Sequence, residues 1–157
     1  MHPDDIVARF SSELKGHFTA SRIQETAEGL DESKKRVRLW LSIDRDVFHR
    51  AVSLLKEFGP PHICTPMASK EYADTIELIY PFTMNYAAKP FGELVVILVV
   101  DIPRDDMRIR SVCDLVPGIL YMERETMEML GIIIEDIPDP RRLFTPDSLG
   151  DTYPMRD

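Results

Sequence analysis

Apolar residues at Ile6, Val7, Phe10 and Leu14 recur at helical spacing. Pro3 in the first turn, with Asp4 and Asp5 beside it, suits the positive end of a helix over Pro3 to Leu14. From His17 to Glu28 the pattern is weak and reads as an edge strand, and the cluster Asp31-Glu32-Ser33-Lys34-Lys35 reads as a solvated turn. Between Arg36 and Ile43 the chain alternates: Val37, Leu39, Leu41 and Ile43 on one side, Arg38, Trp40 and Ser42 on the other. That is a half-buried strand. A helix follows, capped by Asp44 or Asp46, with an apolar face of Val47, Phe48, Ala51, Val52, Leu55 and Phe58 that ends at Gly59-Pro60-Pro61. Three strand-like runs come next, His62 to Met67, Tyr72 to Phe82 and Glu93 to Asp101. The second alternates through Ile76, Leu78 and Tyr80; the third is apolar on both faces and belongs inside a sheet. Ser111 to Leu130 reads as helical, interrupted at Pro117-Gly118.

This order predicts an α+β domain over residues 1–136, a mostly antiparallel β-sheet with helices packed on one face. Residues 137–157 differ in kind. They hold Pro138, Pro140, Pro146 and Pro154 and little periodicity, so an extended proline-rich C-terminal tail is expected. Its Leu143, Phe144, Leu149, Tyr153 and Met155 would be poor choices for a free tail, and the expectation is that it packs on a partner subunit.

Composition narrows the function classes. A chain of 157 residues with 44% hydrophobic and 29% charged positions can bury a core of its own. The formal charge of −8 argues against nucleic acid or an anionic membrane surface as partner, since both need excess Lys and Arg. The longest apolar run, Leu94 to Val100, is far shorter than the roughly 20 residues of a membrane span. The opening MHPDD has no apolar signal region, so a cytoplasmic protein is expected, with any membrane association borrowed from partners.

Candidate chemistry is sparse. Cys64 and Cys113 form no CxxC pair, and a cluster or zinc site built by this chain alone is not expected. His62 and Cys64 form an HxC pair that offers two ligands at most; a buried Cys beside a loop His is the plainer reading. No glycine-rich phosphate loop is present. On a helix, Glu125 and Glu128 share a face and Arg124 can pair with Glu128, while Glu123 extends the cluster. Paired carboxylates can serve as acid and base or bind a metal, but a mixed-sign helical face is more often a solvated one. Arg141 and Arg142 follow a break at Gly131, and their guanidinium groups can fold back onto the glutamates as a structural clasp. From Ile102 onward every basic residue is Arg, the type preferred at interfaces.

The run Ser111-Val112-Cys113-Asp114-Leu115-Val116-Pro117-Gly118, then Glu123-Arg124-Glu125, Glu128-Met129-Leu130-Gly131, and Pro138-Asp139 with Arg141-Arg142-Leu143, resembles the thirty-kilodalton subunit family of respiratory complex I, the NADH dehydrogenase. The close Tyr153-Pro154-Met155-Arg156-Asp157 resembles that family's ending. Three positions depart: Asp136 stands where the family has Gly, Ile137 where it has His, and Glu128 where it has Asp. These departures favour the branch found in membrane-bound energy-converting hydrogenase-type complexes.

The resemblance implies a structural subunit that is no enzyme on its own and binds no cofactor. Iron–sulfur clusters and nickel–iron would belong to its partners, a hydrogenase-like large subunit and a cluster-bearing small subunit. The complex would lie on the cytoplasmic face of the membrane, with this chain peripheral. Glu123, Arg124, Glu125, Glu128, Arg141, Arg142, Leu143, Tyr153, Pro154 and Arg156 are then the expected clasp or subunit interface. The alternatives are a small metal-dependent hydrolase using Glu123, Glu125 and Glu128, or a generic adaptor.

Overall fold

The structure is a computed structural model that describes residues 2–28, 31–63, 68–84 and 94–156. Helix α1 (Pro3–Leu14) starts on a reciprocal cap: the His2 ring accepts from the Asp4 amide at 3.4 Å, and the Asp5 carboxylate accepts from the His2 amide at 3.1 Å. Its stripe of Ile6, Phe10 and Leu14 is buried beside α2 (Phe48–Glu57), whose Phe48, Ala51, Val52, Leu54 and Leu55 are wholly inaccessible.

Strands β1 (Phe18–Glu28), β2 (Asp31–Ile43), β3 (His62–Ile63), β4 (Ala68–Glu71), β5 (Thr75–Met84) and β6 (Leu94–Pro103) form one sheet in the order β1-β2-β6-β5-β3, with β4 also on β5. The register sets Leu39, Val96 and Phe82 in one row and Leu41, Leu98 and Tyr80 in the next. All six are buried, and Phe48 of α2 lies against Tyr80 with ring centroids 4.4 Å apart. The alternation read in β2 and β5 therefore marks the core face, and β6, apolar on both sides, is the interior strand. The sheet is mixed. Four of its pairings are antiparallel, but β2 and β6 run parallel, which the long excursion through α2, β3, β4 and β5 permits.

Four local expectations need correction. Asp31 to Lys35 are not a turn but the first part of β2, paired with β1 as far as Glu28 opposite Asp31. Main-chain pairing at a sheet edge tolerates polar residues, so polarity alone misread them. Neither Asp44 nor Asp46 caps α2, which continues from a short helical turn (Arg45–Val47); Asp44 instead meets the His17 ring at 2.8 Å. The run from Tyr72 is broken by a reversal in which the Tyr72 amide donates to the Thr75 carbonyl at 2.9 Å, separating β4 from β5. Of Ser111 to Leu130, only α3 (Leu120–Leu130) is α-helix, entered through a tight turn at Pro117–Ile119. Two short strands flanking that segment, β7 (Arg108–Arg110) and β8 (Ile133–Glu135), pair in parallel; three residues are too few to show a period. Cys64 and the rest of the expected strand to Met67 lie outside the described residues.

Among the described residues no helix is long and apolar enough to cross a membrane.

Tyr80 carries a testable anomaly. It is wholly buried, its hydroxyl has no hydrogen-bond partner among the described residues, and burial together with the nearby Glu123 and Cys113 raises its pKa well above the ordinary value. Tyr80→Phe removes only that unsatisfied group, so stability is expected to rise by about 1 kcal/mol in a denaturant titration. A loss would mean the hydroxyl is bonded in solution.

Candidate functional site

Helix α3 is short, yet it buries four polar side chains: Glu123, Arg124, Thr126 and Glu128. Thr126 bonds back to the Met122 carbonyl at 2.9 Å; the other three reach segments on either side of the helix.

Glu123 faces the loop before the helix. Its carboxylate accepts from the Ser111 hydroxyl at 2.6 Å, the Val112 amide at 3.0 Å and the Cys113 thiol at 3.1 Å. The same loop is tied to β8, where the Ser111 amide meets the Glu135 carbonyl at 2.8 Å, and to α2 through His49 and Asp114 at 3.0 Å. Burial pushes the Glu123 carboxyl above its ordinary pKa, and its three donors offset this only in part. Burial, reinforced by Glu123, pushes the Cys113 thiol up to about 12, against a lowering bond with Ser111. A thiol so held is no nucleophile.

Arg124 and Glu128 sit one turn apart and face the tail. Arg124 donates from Nε to the Arg141 carbonyl at 2.8 Å and from Nη2 to the Arg142 carbonyl at 2.9 Å, and its Nη1 lies 3.2 Å from Asp139. Glu128 accepts from the amides of Leu143 at 2.7 Å and Phe144 at 3.0 Å, and also from that of Thr145. Burial opposes its ionisation, but the Thr145 side chain and the three amides outweigh it and hold the carboxyl down to about 2. One helix face thus satisfies the carbonyls at one end of a five-residue segment and the amides at the other. That segment belongs to no helix or sheet, so its peptide groups need such partners.

This geometry corrects the expected clasp. The guanidinium groups of Arg141 and Arg142 do not meet the glutamates, and Arg124 does not pair with Glu128. Arg141 makes two bonds of 2.8 Å to Asp139, holding that carboxyl well below its usual range, while Arg142 donates to the Thr145 hydroxyl at 2.8 Å and to the Gly150 carbonyl. It is the main chain of 141–145 that α3 grips. Glu125 is half-buried and makes no hydrogen bond or ion pair among the described residues. Leu143 is half-buried, Pro154 exposed, and the Arg156 guanidinium lies 5.8 Å from the Tyr153 ring centre. The parts played by Ser111, Cys113, Asp139 and Thr145 are not announced by type or spacing. Only Asp139 carried a local signal, an Asx turn in which it accepts from the Arg141 amide at 3.2 Å.

At the end of α3 the chain turns through Gly131 at φ 70°, and Tyr153 covers it so closely that a methyl group there would fall 2.7 Å from ring carbons. The Met155 amide then reaches the Met129 carbonyl at 3.0 Å. Gly131→Ala is expected to cost about 1 to 2 kcal/mol for the left-handed backbone alone and to displace Tyr153. Thermal melting reads the first, and faster proteolysis within 137–156 reads the second.

Among the described residues no three His, Cys, Asp or Glu side chains come together to hold a metal ion. The carboxylates of Glu123 and Glu128 are already filled by donors from this chain.

The pattern describing the respiratory-chain NADH dehydrogenase 30 Kd subunit matches residues 41–157. Membrane-bound hydrogenase subunit beta of Pyrococcus furiosus is 29% identical over 148 residues, 90% of this chain and 84% of that one. A subunit of the F(420)H(2) dehydrogenase of Methanosarcina mazei is 28% identical over 128 residues, 80% of this chain and 76% of that one. Among solved structures, a chain of the membrane-bound sulfane sulfur reductase, an archaeal respiratory membrane complex, gives a TM-score of 0.69 at 19% identity, covering 98% of this chain and 82% of its own. The trypsin-resistant fragment of Nqo5 gives 0.60 at 19% identity, covering 88% and 99%. Both structures share the fold.

Proposed function

Because the chain belongs to the family of the respiratory-chain NADH dehydrogenase 30 Kd subunit, we propose that it is a non-catalytic structural subunit of a complex I-related membrane-bound oxidoreductase of the hydrogenase type. It docks on the hydrogenase-like large subunit, near the cluster-bearing small subunit, on the cytoplasmic face of the membrane. It touches the membrane only through the complex. The iron–sulfur clusters, and nickel–iron if kept, belong to those partners, and this chain supports electron transfer coupled to ion translocation by holding them in place. The observation that carries the reading is the use of α3: Glu123, Arg124 and Glu128 spend their charges on main-chain groups of their own chain. A hydrolase would need those carboxylates free for water or metal.

The test is an affinity tag on the full chain in its native cell. The tag is expected to recover a large subunit related to nickel–iron hydrogenase, and the chain made alone is expected to show neither visible absorbance nor stoichiometric metal. Recovery of a lone, active monomer, or tight metal in the purified chain, overturns the reading in favour of the hydrolase. Partners free of iron and nickel would favour the generic adaptor.

A further inference from the structure

Between the end of α3 and the tail lies a groove of about 200 Å³ with Met127, Ile132, Ile133, Pro140 and Tyr153 along it. Most of the charge on its walls is neutralised. Arg124 and Arg141 share Asp139, and Glu128 is filled by three amides. Arg142 is different. It is half-buried, its bonds go only to the neutral Thr145 hydroxyl and Gly150 carbonyl, and no carboxylate pairs with it among the described residues. A partly desolvated guanidinium without a counter-ion is costly, and a carboxylate brought from outside relieves that cost. The chain as a whole carries −8, so this positive spot runs against the overall sign.

Large apolar side chains are also exposed: Ile133, in the wall of the groove, is 49% exposed, and Phe144 and Met155, each two residues along the chain from a lining residue, are 64% and 62% exposed. The backbone that carries Phe144 is already fixed by Glu128, so this segment has little main-chain freedom to lose on binding.

We propose that this groove is the receptor for an acidic residue flanked by an aliphatic side chain on the large partner subunit. The carboxylate pairs with Arg142 and the aliphatic group lies along the wall of Met127, Ile132 and Ile133. The proposal rests on the reading of the chain as a subunit of a complex. A second copy fits poorly, because a two-fold contact sets the same patch against itself and brings Arg142 toward its own equivalent. A small anion fits poorly as well, since most of the groove is apolar and one guanidinium supplies few donors.

The test uses the tagged full chain in its native cell, in two arms. In the first, p-benzoylphenylalanine replaces Phe144 and is photo-crosslinked within the assembled complex. The crosslink is expected in the large subunit, at a segment with Asp or Glu next to Leu, Ile or Val. In the second, Arg142→Gln is expected to lower recovery of the large subunit after a high-salt wash by about tenfold or more, with Arg142→Lys retaining part of it. The melting temperature of each variant chain shows whether the fold is intact, and if Arg142→Gln fails to fold, the crosslink decides. Equal recovery by an intact Arg142→Gln, a crosslink to a second copy of this chain, or one to a segment lacking a carboxylate overturns the proposal. These outcomes leave the subunit reading standing, whereas a wild-type chain that recovers no large subunit removes both.

Discussion

Glu123→Ala is expected to destabilise the protein by about 3 to 5 kcal/mol. Two effects add. The Val112 amide and the Ser111 hydroxyl lose their acceptor in a site where Glu123 is wholly inaccessible, and an unmet buried group costs about 1 to 3 kcal/mol. The side chain also leaves a void between α3 and the loop, adding roughly 1 to 2 kcal/mol or more. Glu123→Gln keeps the shape and one acceptor, so its cost is expected to be less than half as large. Denaturant titration with an unchanged slope checks both. A loss below about 1 kcal/mol for the alanine variant would mean the loop 111–113 stands without the carboxylate. Because burial raises the Glu123 pKa, its contribution is fullest below the ordinary carboxylate range and falls as pH rises through the shifted value.

Glu128 is expected to show the opposite pH dependence. Its carboxyl, held at about 2 against an ordinary 4.5, stabilises the fold fully above that ordinary value. The contribution is lost as pH falls from there toward 2. The gap between wild type and Glu128→Gln is expected to be about 2 to 3 kcal/mol near neutral pH, the scale of hydrogen bonds to a charged group, and to close in acid. Comparing the two proteins isolates Glu128 from Asp139, whose pKa is also lowered. A parallel readout is limited proteolysis, in which the variant is expected to be cut first within 141–145. A pH-independent gap, or an unchanged cleavage pattern, would show that the three amides do not depend on the charge.

Single departures from the family pattern also have a physical reading. Asp136 occupies the position where that pattern has Gly, and the structure sets it at φ 61°, in the left-handed region that glycine enters freely and Asp tolerates better than most residues. Its carboxylate lies 3.2 Å from Arg110. The substitution therefore keeps the turn after β8 and places an exposed ion pair beside it. Gly131, where the pattern also has Gly, keeps both its left-handed φ and its close cover by Tyr153.

Much of the architecture was legible from side-chain periodicity alone. The stripes of α1 and α2, the alternation of β2 and β5 and the two-sided apolar β6 follow from which faces must leave water. That choice is written in residue type. Family membership was legible in the same direct way, in a run of specific residues from Ser111 to the end. Where polarity was the only guide, the reading failed: Asp31 to Lys35 pair as strand because the main chain makes a ladder whatever the side chains are.

The clasp lay beyond the sequence for the same reason. Glu123, Arg124 and Glu128 were visible as a charged cluster, and Arg141 and Arg142 as its natural opposites. Attraction between side chains was the only pairing that residue types can announce. Peptide N–H and C=O groups are common to nearly all residues, so nothing in their names says which will be left without partners. Only when the tail passes within 3 Å of α3 does it become clear that its carbonyls go to Arg124 and its amides to Glu128. The same passage leaves Arg142 half-buried and without a carboxylate among the described residues. Residue type set the charges, and the path of the backbone decided what each one meets.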